Sequence, residues 1–131
     1  YEEGERGMTP EGKVVAAIKS VIKELHGEVR KTSWVGHIGA PDLFIMMPGW
    51  HFWVEVKAPG EKPKKHQLRE HKAMAESGCE VHVYDTASDV AKLIADRYSL
   101  SDGRTERQIC LMAYELWAFW RRRERAENER A

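Results

Sequence analysis

The chain lacks the features that mark several specialised classes of protein. No stretch approaches the roughly 20 apolar residues that a membrane-spanning helix needs. Only two cysteines occur, Cys79 and Cys110, and they lie far apart without metal-ligand spacing. We therefore expect reduced thiols, with a single disulfide as the alternative. Residues 1–7 are acidic and polar, unlike a secretory signal, so we expect a cytoplasmic protein.

The composition that remains is typical of one globular domain. The chain has 131 residues, of which 42% are hydrophobic and 32% charged, and this length suffices for a hydrophobic core without disulfide support. The net charge is zero, but basic residues cluster in residues 57–72 and 121–125. Such clusters can neutralise phosphates, whereas two solvated helix faces would give the same pattern.

Hydrophobic periodicity predicts an α-β-β-β-α-β-α-α order of elements. Thr9 and Pro10 are typical of a helix start, and Gly27 of a helix end. We predict helices over residues 10–26, 64–77, 89–98 and 104–127, and strands over residues 28–35, 43–47, 52–56 and 80–84. Both alternating sets of side chains in the central strands are largely apolar. This predicts an α/β fold in which helices cover both faces of a mixed sheet.

The two central strands bring charged side chains together. If their turn consists of Pro48 and Gly49 alone, counting outward places Asp42 opposite Glu55, and opposed residues of an antiparallel pair share a face. Lys57 lies two residues after Glu55 and therefore shares that face as well. A three-residue loop would break this register. We thus expect three charged groups at one end of an otherwise apolar hairpin.

Two opposed carboxylates about 5 Å apart repel each other, and burial increases the repulsion. A divalent cation would remove this conflict, and carboxylate oxygens suit Mg²⁺ or Mn²⁺. Lys57 could then steady an attacking hydroxide or a strained phosphate. The alternative is an ion pair of Lys57 with Glu55 or Asp42 at a sheet edge.

The residues 39–42 (Gly-Ala-Pro-Asp) and 55–57 (Glu-Val-Lys) resemble the motifs of the PD-(D/E)xK nuclease superfamily. More narrowly, the pattern resembles the virus-type replication-repair nuclease (VRR-NUC) family. Further matching features are a glycine-containing loop at 58–60, Gln67, Gly78 before a valine-rich strand, and Glu11. The resemblance covers roughly residues 9–90. It implies a nuclease core over residues 8–98, with residues 99–131 as a helical extension that packs on the core or forms a dimer contact.

The resemblance also implies a role for each matching residue. Asp42 and Glu55 would be metal ligands, with the backbone carbonyl of Val56 as a third. Lys57 would assist the nucleophilic water.

Two helical residues would complete this centre. Glu11 would join the metal shell or bind a second ion through water, although compensation of the helix dipole is the alternative. Gln67 would orient Lys57 or the water, with an ordinary surface role as the alternative. The candidate nucleic-acid contacts are Lys62, Lys64, Lys65, Arg69 and His37.

The resemblance implies a divalent-metal-dependent DNA endonuclease. Stand-alone members of the family imply a homodimer that acts on branched DNA, such as four-way (Holliday) junctions in DNA repair, within a bacterial or phage-infected cell. One alternative is a nicking or end-processing enzyme on linear DNA, and another is a catalytically silent nucleic-acid-binding module.

The aromatic residues of the last helix, including Trp117 and Trp120, follow helical spacing, which favours core or dimer packing over base stacking.

Overall fold

The computed structural model describes residues 7–130, and its order of elements is the predicted one. The helices are α1 (Pro10–Glu24), α2 (Lys65–Glu76), α3 (Ala87–Tyr98) and α4 (Arg104–Arg130). The strands are β1 (Glu28–Lys31), β2 (Leu43–Met47), β3 (Trp50–Val56) and β4 (Val81–Tyr84). The expectations for residues 1–6 and for Ala131 lie outside the described residues.

The strands form one mixed sheet in the order β1-β2-β3-β4. The pairs β1–β2 and β2–β3 are antiparallel, whereas β4 runs parallel to β3. The chain reaches β4 through α2, because a parallel pair needs a long crossover connection. The predicted four-stranded mixed sheet is therefore confirmed.

One face of the sheet forms the main hydrophobic core. Its central side chains are fully or almost fully buried against α1 and α3: Leu43, Ile45, Met47, Phe52, Val54 and Val56. The last helix joins the same core through Ile109, Cys110 and Ala113. Thus α4 packs on the core, while the division of the chain at residue 98 stays a prediction.

The opposite face is covered less completely than the sequence indicates. Phe44, Met46 and Trp53 are only half-buried there, although α2 closes over Glu55 and Lys57. Helices thus lie on both faces, as predicted, although α2 covers only one end of this second face. This leaves the charged residues between a helix and a partly open sheet surface.

The first strand is shorter than predicted and ends at Lys31 instead of residue 35. Thr32 still donates its backbone N–H to Asp42, but the next residue opposite is Pro41, which has no N–H to continue the ladder. The chain therefore leaves the sheet, and residues 32–41 form a loop.

The end of α1 also differs from the prediction. The residue with positive φ is His26, at 62°, and not Gly27. Gly27 is needed for a different reason, since a Cβ there would lie 2.4 Å from Sδ of Met47.

The long helix α4 is fixed to α3 by a carboxylate. Glu124 accepts hydrogen bonds from the backbone N–H groups of Ala87 and Ser88 at 3.1 and 3.3 Å, and from the Ser88 hydroxyl at 2.5 Å. An acidic group at this position also complements the positive end of the α3 dipole. None of the helices within residues 7–130 is long and apolar enough to cross a membrane.

Candidate active site

The hairpin of β2 and β3 positions the two acidic residues. Its strands are joined by a two-residue turn, Pro48 and Gly49. Met47 and Trp50 form the first pair after the turn, and the pairing continues to Leu43 opposite Val54. The same register, continued by one residue, places Asp42 opposite Glu55, as the sequence predicts. Asp42 is fixed further because its Oδ2 accepts a hydrogen bond from the backbone N–H of Val56 at 2.8 Å.

Glu55 is buried where its negative charge is unfavourable. It is only 2% exposed, and the neighbouring Lys57 is 6% exposed. Burial, and then repulsion from Asp42, raise the pKa of Glu55 from 4.5 to about 7, although Lys57 opposes this change with its Nζ 3.3 Å from Oε2. The other oxygen, Oε1, is buried without a hydrogen-bond partner among the described residues.

Gln67 connects α2 to both charged groups on β3. Its Nε2 donates to Oε2 of Glu55 at 2.8 Å, and its Oε1 accepts from Nζ of Lys57 at 2.8 Å. The same Oε1 accepts the backbone N–H of Lys64 at 2.9 Å, at the start of α2. The Gln67 amide therefore makes hydrogen bonds to the backbone N–H of Lys64, at the start of α2, and to both charged groups on β3. Rotation of this side chain would break all three hydrogen bonds.

These side chains suit a divalent cation. A buried carboxylate oxygen without a hydrogen-bond partner is unfavourable unless a positive charge or a proton approaches it. The raised pKa of Glu55 likewise indicates that its negative charge is poorly compensated. Within residues 7–130, however, no group of three or more acidic, histidine or cysteine side chains forms a metal-binding cluster. A cation here would therefore need ligands besides the two carboxylates, such as a backbone carbonyl, water or substrate oxygens. The Val56 carbonyl stays the predicted third ligand.

Glu11 is not brought to these residues by any described contact. It is exposed in the first turn of α1. No hydrogen bond or ion pair in the described part of the chain connects it with Asp42, Glu55 or Lys57. Its place in the metal shell stays a prediction.

The predicted nucleic-acid contacts lie around this centre. Lys62, Lys64, Lys65 and Arg69 are exposed, on the loop before α2 and on α2 itself. His37 is also exposed, but its Nε2 lies 3.0 Å from Oε1 of Glu70. Its contact with phosphate stays a prediction.

Sequence reasoning missed Glu70, which holds the loop of residues 32–41. Its carboxylate contacts His37 and accepts a hydrogen bond from Nε1 of Trp34. Gly39 fits closely beneath it, with φ at 95° and with room for no side chain, because a Cβ would lie 2.8 Å from Cβ of Glu70. The glycine of the Gly-x-Pro-Asp motif was the available signal, since it marks a close approach of backbone to another element.

Comparison with known proteins identifies two relatives of the chain. No protein-family model matches the chain. The chain is 41% identical to "Putative nuclease p44" of Acyrthosiphon pisum secondary endosymbiont phage 1, over 51% of this chain and 81% of that protein. A solved structure described as a VRR_NUC domain superposes with a TM-score of 0.61 at 42% identity, covering 66% of this chain and 96% of the other. These two relatives, together with the arrangement of the Asp-(Glu-x-Lys) residues, show that the chain belongs to the VRR-NUC family.

Proposed function

We propose that this chain is a divalent-metal-dependent endonuclease that hydrolyses phosphodiester bonds in DNA. The observation that carries the proposal is the buried Oε1 of Glu55, which has no hydrogen-bond partner within residues 7–130, beside the charges of Asp42 and Lys57. Membership of the VRR-NUC family and the similarity to a phage protein named as a putative nuclease support nuclease activity.

Asp42 and Glu55 would hold Mg²⁺ or Mn²⁺, with the Val56 carbonyl and Glu11 as further candidates. When bound, such an ion lowers the pKa of a coordinated water and stabilises negative charge on a phosphate. The hydrogen bond from the Val56 N–H to Oδ2 of Asp42 supports this role, because it restricts the orientation of the carboxylate. Glu55 must be ionised to act as a ligand, and the cation would supply the positive charge that its site lacks.

Lys57 contributes a positive charge beside the reacting phosphate. Its ammonium group is held by Gln67 and Glu55, at 2.8 and 3.3 Å, and is almost completely buried. A charge held in a low-dielectric site stabilises a developing anion more strongly than a charge that moves freely in water. Gln67 acts as a positioning residue, because it contacts Lys57 and Glu55 together.

We further propose that the substrate is branched DNA, such as a four-way junction, and that the enzyme acts as a homodimer. A two-fold dimer matches the two-fold symmetry of such a junction. The exposed basic residues of the loop before α2, and of α2 itself, would bind the DNA backbone. The protein would work in the cytoplasm of a bacterial or phage-infected cell.

Cleavage of linear, flapped and four-way DNA of equal length, with Mg²⁺, Mn²⁺ or excess chelator, tests this proposal. Asp42→Asn should abolish cleavage without unfolding the protein, since it removes a ligand charge and little volume. Asp102→Asn, an exposed position, is the matched control and should cleave normally. Undiminished cleavage in chelator, or full cleavage by Asp42→Asn, would refute the mechanism. Binding without cleavage under every metal would instead favour a catalytically silent module.

The substrate and the assembly are tested separately from the chemistry. Light scattering at micromolar concentration should give a dimer, and the four-way substrate should be cut faster than the linear one. A monodisperse monomer that cuts both substrates equally would refute the dimer and the branched substrate, while leaving the nuclease activity in place.

A further inference from the structure

Two apolar side chains project into solvent from the loop of residues 32–41. Val35 is fully exposed, at 103% of its reference area, and Ile38 is 67% exposed. We call these two residues the apolar tip. The loop carries no acidic residue, and its other side chains are polar, aromatic or small. Exposure of isolated apolar residues is ordinary. A functional role for the tip must therefore be argued from the contacts that hold the loop and from its position in the fold.

The loop is anchored on both sides of the tip. Thr32 bonds to Asp42 through its backbone, at 2.9 Å, and its hydroxyl donates to the carbonyl of Pro41. Glu70, which is 13% exposed in its side chain, contacts His37 and Trp34 on either side of Val35. The protein thus uses a largely buried carboxylate to fix a loop whose two exposed apolar residues, Val35 and Ile38, lie outside its own core.

The surroundings of the tip indicate which kind of partner it would contact. Ile38 precedes Asp42 by four residues, and the loop that carries it ends in the backbone contact with Asp42. Ile38 also borders a shallow cavity of about 260 Å³ whose wall includes His66 and Arg69. On the other side, the loop follows the exposed residues Arg30 and Lys31 of β1. An uncharged apolar tip that borders Arg69, on a loop that begins directly after Arg30 and Lys31, complements DNA, whose bases are apolar on their faces and whose backbone is anionic.

We propose that the apolar tip is a wedge that packs against unstacked bases next to the scissile phosphate. Apolar side chains that enter a base step in this way are stabilised at sites where stacking is already interrupted, such as branches, flaps and ends. The wedge would therefore bind a branch point and place the neighbouring phosphate at the catalytic centre. This inference rests on the proposed function and assigns one determinant of its substrate preference.

The test uses the full chain and a four-way DNA junction with 2-aminopurine beside the branch point. Val35→Ser/Ile38→Ser is compared with Leu100→Ser/Leu111→Ser, which changes residues that are 92% and 66% exposed elsewhere on the surface. Binding and fluorescence are measured in Ca²⁺, cleavage in Mg²⁺, and Mn²⁺ affinity by calorimetry. A variant that keeps apolar side chains, Val35→Leu/Ile38→Val, completes the series.

We expect the parent and the apolar variant to raise the 2-aminopurine fluorescence on binding, because the base loses its stacking. Val35→Ser/Ile38→Ser should abolish this rise and bind the junction about ten-fold more weakly, as expected when two apolar side chains lose their buried surface. Its affinity for unbranched duplex, its Mn²⁺ binding and its melting temperature should stay unchanged. The leucine control should match the parent in every measurement.

The inference is overturned if the serine variant binds, fluoresces and cleaves like the parent. It is also overturned if the variant loses only self-association in light scattering, because the tip would then contact a second copy of the chain. A parent protein that neither binds nor cleaves DNA refutes the proposed function, and the wedge with it. Cleavage by the parent with no fluorescence change refutes the wedge alone.

Discussion

Replacement of Glu55 by Gln should stabilise the metal-free protein in a pH-dependent manner. Burial and the neighbouring Asp42 raise the pKa of Glu55 from 4.5 to about 7, so the folded state holds the proton more tightly than the unfolded state does. The contribution of Glu55 to the free energy of unfolding is therefore greatest below pH about 4.5 and is lost as the pH rises through about 7. Each tenfold change in acid dissociation corresponds to about 1.4 kcal/mol, so the full loss is about 3 kcal/mol.

The Glu55→Gln variant cannot ionise and escapes this loss. Above pH about 7.5 its free energy of unfolding should exceed that of the parent by about 3 kcal/mol, equivalent to roughly 10 °C in melting temperature for a chain of this size. The difference should shrink towards zero near pH about 4.5. Lys57 keeps its hydrogen bond to Gln67 in the variant, so the change removes a charge without removing the packing.

Thermal unfolding in excess chelator, followed by circular dichroism across this pH range, provides the measurement. Glu76→Gln is the control, because Glu76 lies exposed on α2 and should show no such trend. Added Mn²⁺ should stabilise the parent and leave Glu55→Gln little changed. A difference between parent and variant that stays constant with pH would refute the argument that Glu55 is held in a conflicted site.

The remaining predictions concern neighbouring parts of the site. Lys57→Ala should lose cleavage but keep most of its Mn²⁺ binding in a calorimetric titration, because Lys is not a ligand; an affinity loss equal to that of Asp42→Asn would contradict this role. Ca²⁺ should bind but support little cleavage in the same assay, since its larger and looser shell positions water poorly; full activity in Ca²⁺ would contradict it. Gly39→Ala should lower the free energy of unfolding by about 2–3 kcal/mol, because it combines positive φ with a close contact to α2, whereas Gly36→Ala, with φ at 76° and open space, should lose about 1 kcal/mol. Equal losses in chemical denaturation would show that the contact with Glu70 is not limiting.

The sequence predicts the charged hairpin well because local geometry determines it. A two-residue turn fixes the register, the register determines which residues face each other, and alternation along β3 places Glu55 and Lys57 on one face. None of these steps needs long-range information. The core face of the sheet follows from the same alternation, and the order of elements follows from hydrophobic periodicity.

The loop of residues 32–41 was less predictable because distant contacts shape it. Its first residues carry β-branched and aromatic side chains, which favour a strand, yet Pro41 removes the partner N–H and Glu70 draws Trp34 away from the sheet. Glu70 lies more than thirty residues away in the chain, on the helix that also carries Gln67. The hydrophobic periodicity of the sequence does not indicate a contact between residues so far apart.

The contacts made by α2 suggest why these two residues share one helix. Gln67 holds Lys57 and Glu55 on β3, and Glu70, one turn later, holds the loop that leads into Asp42. Residues three apart on a helix lie on neighbouring parts of its surface, so one rigid element positions both sides of the hairpin. A shift of α2 would therefore disturb Lys57, Glu55 and the loop of the apolar tip together. Cleavage and the proposed recognition of a branch should therefore fail together in variants that displace this helix, whereas variants of the tip alone should weaken binding to branched DNA and leave Mn²⁺ binding unchanged.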